Sequence, residues 1–242
     1  MHYSLIDRFR GALLGTAIGE VLGANCQQPQ AWREVEHWGF YNPVEPSVWG
    51  KMAITQAQFL VHEKGKIPIP HVEDERVMIA LLPIALFYHE DLTLLEVHLE
   101  AALGCSSINS ALADGTSAQV LERCLQIGEA IALTLQEKSV PVQDFRLTLL
   151  QAAKMPHPQV PHLQVQCAIA GALAGAAHGI TGIPPSWRQR LNRAGYASFW
   201  GLNSEAELLQ IADDLLAAWS GVYHPTQRLA NPVVAAPRMM RR

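Results

Sequence analysis

Residues 8–24 read RFRGALLGTAIGEVLGA, and residues 167–179 read CAIAGALAGAAHG. Gly11, Gly15, Gly19 and Gly23 recur every fourth residue, and Gly171, Gly175 and Gly179 do the same. That period keeps all members of a row on one stripe of an α-helix. Glycine inside a helix costs about 1 kcal/mol against alanine. A helix carrying a row of glycines must therefore gain something from a bare face. The physical gain is close approach of another backbone, so tight helix–helix packing is the expected use, ahead of direct contact with a ligand. The two rows are candidates to pack on each other. Neither is a phosphate cradle, because no Walker motif is present and no G-x-G-x-x-G follows a strand.

The rest of the chain reads as helical too. Ser4-x-x-Asp7 forms a capping box that opens the first helix, which should run to about residue 22. Met52 to Val61 is a second helix, ended by Gly65. Glu73, Asp74 and Glu75 provide the negative charge that favours a helix start, ahead of the apolar run Val77 to Tyr88. Pro83 should kink or interrupt that run. Thr93-x-x-Glu96 reads as the next cap, with Gly104 as the stop. Thr116-x-x-Gln119 precedes Val120, Cys124, Ile127, Ile131 and Leu135, an apolar stripe at helical spacing. Asp144 to Ala153 is a shorter helix. Ser204-x-x-Glu207 opens the last one, with Leu208, Ile211, Leu215 and Trp219 on one face and Gly221 after it. No strand alternation is evident. The expected fold is all-α, a single many-helix orthogonal bundle over residues 1–224. Residues 225–242 form a C-terminal tail expected to be disordered.

Composition narrows the function classes. Of 242 residues 49% are hydrophobic and only 17% charged, enough apolar surface to offset ordering entropy. Net charge is −4 and the one basic cluster is Arg238, Arg241 and Arg242 at the end, so no nucleic-acid partner is expected. No stretch suits a membrane span, and no membrane partner is expected. The four cysteines, at positions 26, 105, 124 and 167, have no C-x-x-C spacing. With no apolar signal segment after Met1, free thiols point to a reducing, cytoplasmic location. The acids number 22, a short supply for any carboxylate-rich metal site.

The two glycine-rich segments together resemble signature helices of the ADP-ribosylglycohydrolase family, which includes the dinitrogenase-reductase-activating glycohydrolases. Ile183-Pro-Pro-Ser-Trp187, Met52-Ala-Ile-Thr-Gln-Ala-Gln, Leu82-Pro-Ile-Ala-Leu and Ala218-Trp-Ser-Gly221 also look like family segments, so the resemblance covers most of residues 5–222. It implies an all-α bundle around two magnesium ions that removes ADP-ribose from an acceptor. In the family the ions are held by a Thr-Asp-Asp motif and an Asp-x-Asp-Thr motif, which supply the hard oxygen ligands magnesium needs. Mapped onto this chain, the first motif falls on Ser47, Val48 and Trp49. The second falls on His162, Leu163, Gln164 and Val165. The family's Gly-Asp-Ala-Leu-Gly reads Gly19-Glu-Val-Leu-Gly23, and the acid that usually follows it is Gln27. A shift of one or two residues does not restore the ligands. No Asp lies between residues 8 and 73 or between 145 and 212. Valine and tryptophan do not bind Mg²⁺, and amide and imidazole are poor substitutes for carboxylates. The resemblance therefore implies the fold without its dinuclear magnesium site.

What remains for chemistry is sparse. Glu20, the one acid within residues 8–24, and His162 are weak candidates for a general base. Gln27, Trp49, Gln164 and His178 are candidates to line a ligand site. His157, His162 and His178 match no zinc spacing, so solvated or hydrogen-bonded histidines are the default reading. Cys26 and Cys167 would need a base and a lowered pKa to act as nucleophiles. Ser186 reads as a helix cap. Trp32, Trp38, Phe40, Tyr41 and Trp49 either cover the core or form a binding surface. Two readings stand. One is a non-catalytic member of the fold, a pseudoenzyme that binds a protein partner or a nucleotide-like ligand and needs no cofactor. The other is an active hydrolase with a rearranged site that removes ADP-ribose from a protein or small-molecule acceptor.

Overall fold

The computed structural model describes residues 3–25, 46–62, 76–103, 115–137, 144–154, 162–193 and 199–222. Gln27, Trp32, Trp38, Phe40, Tyr41, Cys26, Cys105, His157, the acids at 73–75, the stops at Gly65 and Gly104, and the tail lie outside the described residues. Within them are nine α-helices and no strand. They are α1 (Leu5–Asn25), α2 (Val48–His62), α3 (Val77–Phe87), α4 (Leu92–Ala102), α5 (Gly115–Leu135), α6 (Phe145–Lys154), α7 (Leu163–His178), α8 (Pro185–Arg193) and α9 (Glu205–Ser220). The order and the all-α class agree with the sequence reading.

The glycine rows make the centre of the molecule. Helices α1 and α7 lie antiparallel, backbone against backbone. A Cβ added to Gly15 would run into the carbonyl of Gly171, and one on Gly171 into the carbonyl of Gly15. Gly11 and Gly175 face each other in the same way, Gly19 faces Cys167, and Gly23 faces Leu163 and Gln164. Gly179 ends the seam with φ +62°, a conformation that favours glycine, and so closes α7. With its partner this close, α1 is buried on every side from Gly11 to Gly23. It carries apolar residues all round and not as a single stripe, as a central helix must.

The other helices wrap this pair. All eleven residues of α3 are buried, and it packs against α2 and α5. Pro83 does not interrupt it. Burying a continuous apolar segment outweighs the roughly 3 kcal/mol that an interior proline costs. Helix α6 packs on α7, and α9 on α1 and α2. The α5 stripe faces inward as expected, with Val120, Cys124, Ile131 and Leu135 buried and Ile127 partly so.

The helix starts need three corrections. The cap of α4 is Asp91, whose carboxylate accepts from the N–H groups of Thr93 and Leu94 at 3.0 Å each, and Thr93 lies inside the helix. Thr116 also lies inside its helix, because α5 already begins at Gly115. Ser186 is not a cap either: α8 starts at Pro185, a residue suited to the first helical position, and Ser186 is exposed in the first turn. Two caps are as read. The Ser4 hydroxyl accepts from Asp7 N–H at 3.3 Å and donates to its carboxylate at 2.6 Å. Ser204 caps α9, and Gly221 closes that helix in the left-handed conformation.

Two long-range ion pairs tie the shell to α1. Arg10 binds Asp213 of α9 through two parallel hydrogen bonds of 2.6 Å. Buried Arg8 donates to the carbonyls of Thr134 and Leu135 at the end of α5 and to Glu137 beyond it. A cation there meets the negative end of the helix dipole.

Candidate functional site

Glu20 lies on α1 five residues before its end and has no exposed surface. A buried carboxylate must be hydrogen-bonded to persist. Three donors from three separate parts of the chain meet it. Ser47 Oγ–H donates to Oε1 at 2.5 Å, and Gln164 Nε2–H donates to the same oxygen at 3.0 Å. Trp200 Nε1–H donates to Oε2 at 2.6 Å.

Each donor is fixed by its element. Ser47 stands just before α2, where its hydroxyl accepts from Gly50 N–H at 2.9 Å. The same hydroxyl therefore caps the helix and donates to Glu20. Gln164 occupies the first turn of α7 and comes within reach because Gly23 leaves that turn room to approach α1. Trp200 is held by the short turn between α8 and α9. The carbonyl of Phe199 accepts from Ser47 N–H at 2.7 Å, and Phe199 and Trp200 are both buried.

Electrostatics divide in two directions. Burial pushes the Glu20 carboxyl above its ordinary range. The bonds from Ser47, Trp200 and Gln164 and the charge of Arg76 pull it back, but burial wins. Arg76, just before α3, also lies over the Trp49 ring at 6.0 Å, a cation–π contact.

The structure thus joins Glu20, Ser47 and Gln164, which the sequence singled out in three distant places. Trp49 is half-buried nearby on α2, and Val48 points to solvent with 64% exposure. His162 precedes α7 and is exposed, with no hydrogen bond from its ring to the helix start. His178 lies at the other end of α7, about 20 Å from Gln164 by helical rise. There its ring meets Tyr3 edge-on at 6.5 Å, far from Glu20. Cys167 is buried in the glycine seam. Among the described residues no three His, Cys, Asp or Glu side chains are grouped to hold a metal ion.

Trp200 and the cap role of Ser47 escaped the sequence reading. Trp200 lies between α8 and α9 in a non-periodic stretch of sequence, where no helical pattern marks an inward face. The available signal was Gly50, an isolated glycine at a helix start, which points to close approach by another group.

The ADP-ribosylglycohydrolase family model matches residues 130–225, a span that contains Gln164 and Trp200. Over that span the chain is similar to the ADP-ribosylglycohydrolase family. No curated protein gives a significant match. Glu20 and Ser47 lie outside the matched span and join it through the fold.

The magnesium pair of the resembled family members does not fit these residues. The cluster offers one carboxylate, and two N–H groups point into it, from an indole and an amide. A cation beside Glu20 would face their positive ends. Magnesium asks for several oxygen ligands in near-octahedral order. Ser47 already accepts one hydrogen bond and donates another, and Gln164 presents its nitrogen.

Proposed function

We propose that this ADP-ribosylglycohydrolase-like protein acts by binding and not by magnesium-dependent removal of ADP-ribose. What it binds is a protein partner or a nucleotide-like ligand. The observation that supports this is that Glu20 accepts from three neutral donors, two of which, Ser47 and Gln164, stand at positions where the family's metal motifs map. A carboxylate closed in this way is a structural anchor: it joins α1, α2, α7 and the Trp200 turn.

A second reading keeps a hydrolase with Glu20 as general base, favoured by the raised Glu20 pKa, because perturbed carboxyls gather at active sites. Geometry opposes it. A general base needs reach to the proton it takes, and Glu20 is enclosed while His162 faces solvent.

The test is direct. The purified chain is incubated with an ADP-ribosylated protein in Mg²⁺ and in Mn²⁺, and bound metal is counted by mass spectrometry. No released ADP-ribose and no stoichiometric metal are expected. Turnover that Glu20→Gln abolishes would establish the second reading, and metal-dependent turnover would sink the binding reading.

A further inference from the structure

We infer that Trp200 is the resident occupant of the Glu20 site, a built pocket for a planar aromatic N–H donor that the protein fills with its own indole. The inference goes beyond the binding reading and rests on it only in taking the site as one that no metal holds.

Three observations carry it. The indole N–H meets Glu20 Oε2 at 2.6 Å with both groups buried, so the pocket has a directed acceptor at its base. The wall opposite is cut to shape. A Cβ on Gly50 would fall on Cδ1, Nε1 and Cγ of Trp200, so the pyrrole edge lies directly on the α2 backbone. The turn that delivers the ring is clamped on both sides. Phe199 O accepts from Ser47 N–H at 2.7 Å, and Gly201, at φ +77°, turns the chain away toward α9.

Acceptor, bare wall and clamp together define a ligand class. A flat heteroaromatic with an N–H at its edge fits, and an aliphatic or an anion does not. Any such ligand must first displace Trp200, so the site of the unaltered chain is closed to it.

The experiment uses the full chain carrying Trp200→Gly, with indole as the probe. The substitution is expected to lower Tm, and indole to restore part of the loss in a saturable way. The analogue 1-methylindole has the same ring without the donor and is expected to bind about tenfold more weakly, the difference one buried hydrogen bond to a charged acceptor makes. A Tm that does not respond to indole, or equal binding of the two probes, would overturn the inference. Should Trp200→Gly fail to fold, Gly50→Ala and Trp200→Phe supply the second arm. Gly50→Ala alone is expected to lower Tm strongly, and the loss to shrink when the smaller ring is present. Strictly additive effects would overturn the inference as well. Metal-dependent ADP-ribose release by the unaltered chain would sink the binding reading and leave the indole result standing. An indole failure would do the reverse.

Discussion

Removing the Glu20 carboxylate strands three donors at once. Each buried donor left without a partner costs about 1–3 kcal/mol. Glu20→Ala is therefore expected to destabilise the chain by more than about 3 kcal/mol in urea denaturation, near the top of the usual range for one substitution. Glu20→Gln keeps the shape and the acceptor for Ser47 and Gln164 but turns an N–H toward Trp200, so its loss should be smaller, about 1–3 kcal/mol. The pair also isolates a pH effect. The folded state holds the Glu20 proton more tightly than the unfolded chain, whose ordinary value is 4.5. Its contribution to stability is thus full below that value and declines as pH rises through the folded-state value. Wild type measured against Glu20→Gln should lose ground as pH rises from 4.5, and a flat difference would contradict the raised pKa. His89 runs the other way. Its ring lies between Phe9 and Trp219, and Nδ1–H donates to Leu86 O at 2.7 Å. Burial lowers its pKa from 6.5. The unfolded chain then takes a proton below that pH which the folded ring refuses. Stability present above pH 6.5 is lost as pH falls through the folded-state value. An NMR titration of the His89 ring should give a midpoint below 6.5, and one at or above that value would refute the assignment.

The seam between α1 and α7 sets the energetics of the elements. Alanine improves helix propensity over glycine by about 1 kcal/mol, yet at Gly15 or Gly171 its methyl meets a carbonyl of the facing helix. Backbone cannot swing aside as a side chain can. Gly15→Ala and Gly171→Ala are each expected to destabilise by at least about 2–3 kcal/mol, as overpacking does. Gly128 of α5 is the control. A Cβ there meets only the methyl ends of Leu95 and Leu99, at 3.2 and 3.4 Å. Gly128→Ala should be neutral or gain up to about 1 kcal/mol. Equal losses at all three positions in thermal melts would contradict the seam. Caps give a smaller contrast on α4: Asp91→Ala should cost about 1 kcal/mol and Thr93→Ala much less. The same elements show what the sequence could carry. A row of glycines at period four announces a bare helical face, and so the α1–α7 contact was legible, as were the helix order and the Ser4 and Ser204 caps. Asp91 is hidden in the sequence because Thr93-x-x-Glu96 offers a better-looking box two residues later. The Glu20 cluster was legible only in fragments. Glu20, Ser47 and Gln164 stood out through a resemblance, but what joins them is tertiary. Trp200 lies 180 residues from Glu20 in the chain, and no local pattern encodes that meeting.

At the scale of the whole molecule, the same bundle can be organised about metal ions or about hydrogen bonds, and the two leave different marks on stability. In a chain folded around a bound ion, part of the folding free energy is ligand binding. Stability then follows the ion's concentration as RT ln(1 + [L]/Kd), about 2.7 kcal/mol at a hundred times Kd. Here α1, α2, α7 and the Trp200 turn are joined by a carboxylate with neutral donors, all supplied by the chain. On the proposed reading, that junction depends on solution composition only through the proton. The expected outcome is a Tm that shifts by less than about 1 °C between chelator and millimolar Mg²⁺, since even 1 kcal/mol would move a chain of this size by roughly 2–4 °C. Differential scanning calorimetry in matched buffers gives the measurement. A Mg²⁺-dependent rise of several degrees that Glu20→Gln removes would mean that Glu20 exchanges Trp200 for a cation, and would overturn the account of the cluster as a metal-free joint. A rise that survives Glu20→Gln would locate the ion elsewhere in the chain and leave the joint as described.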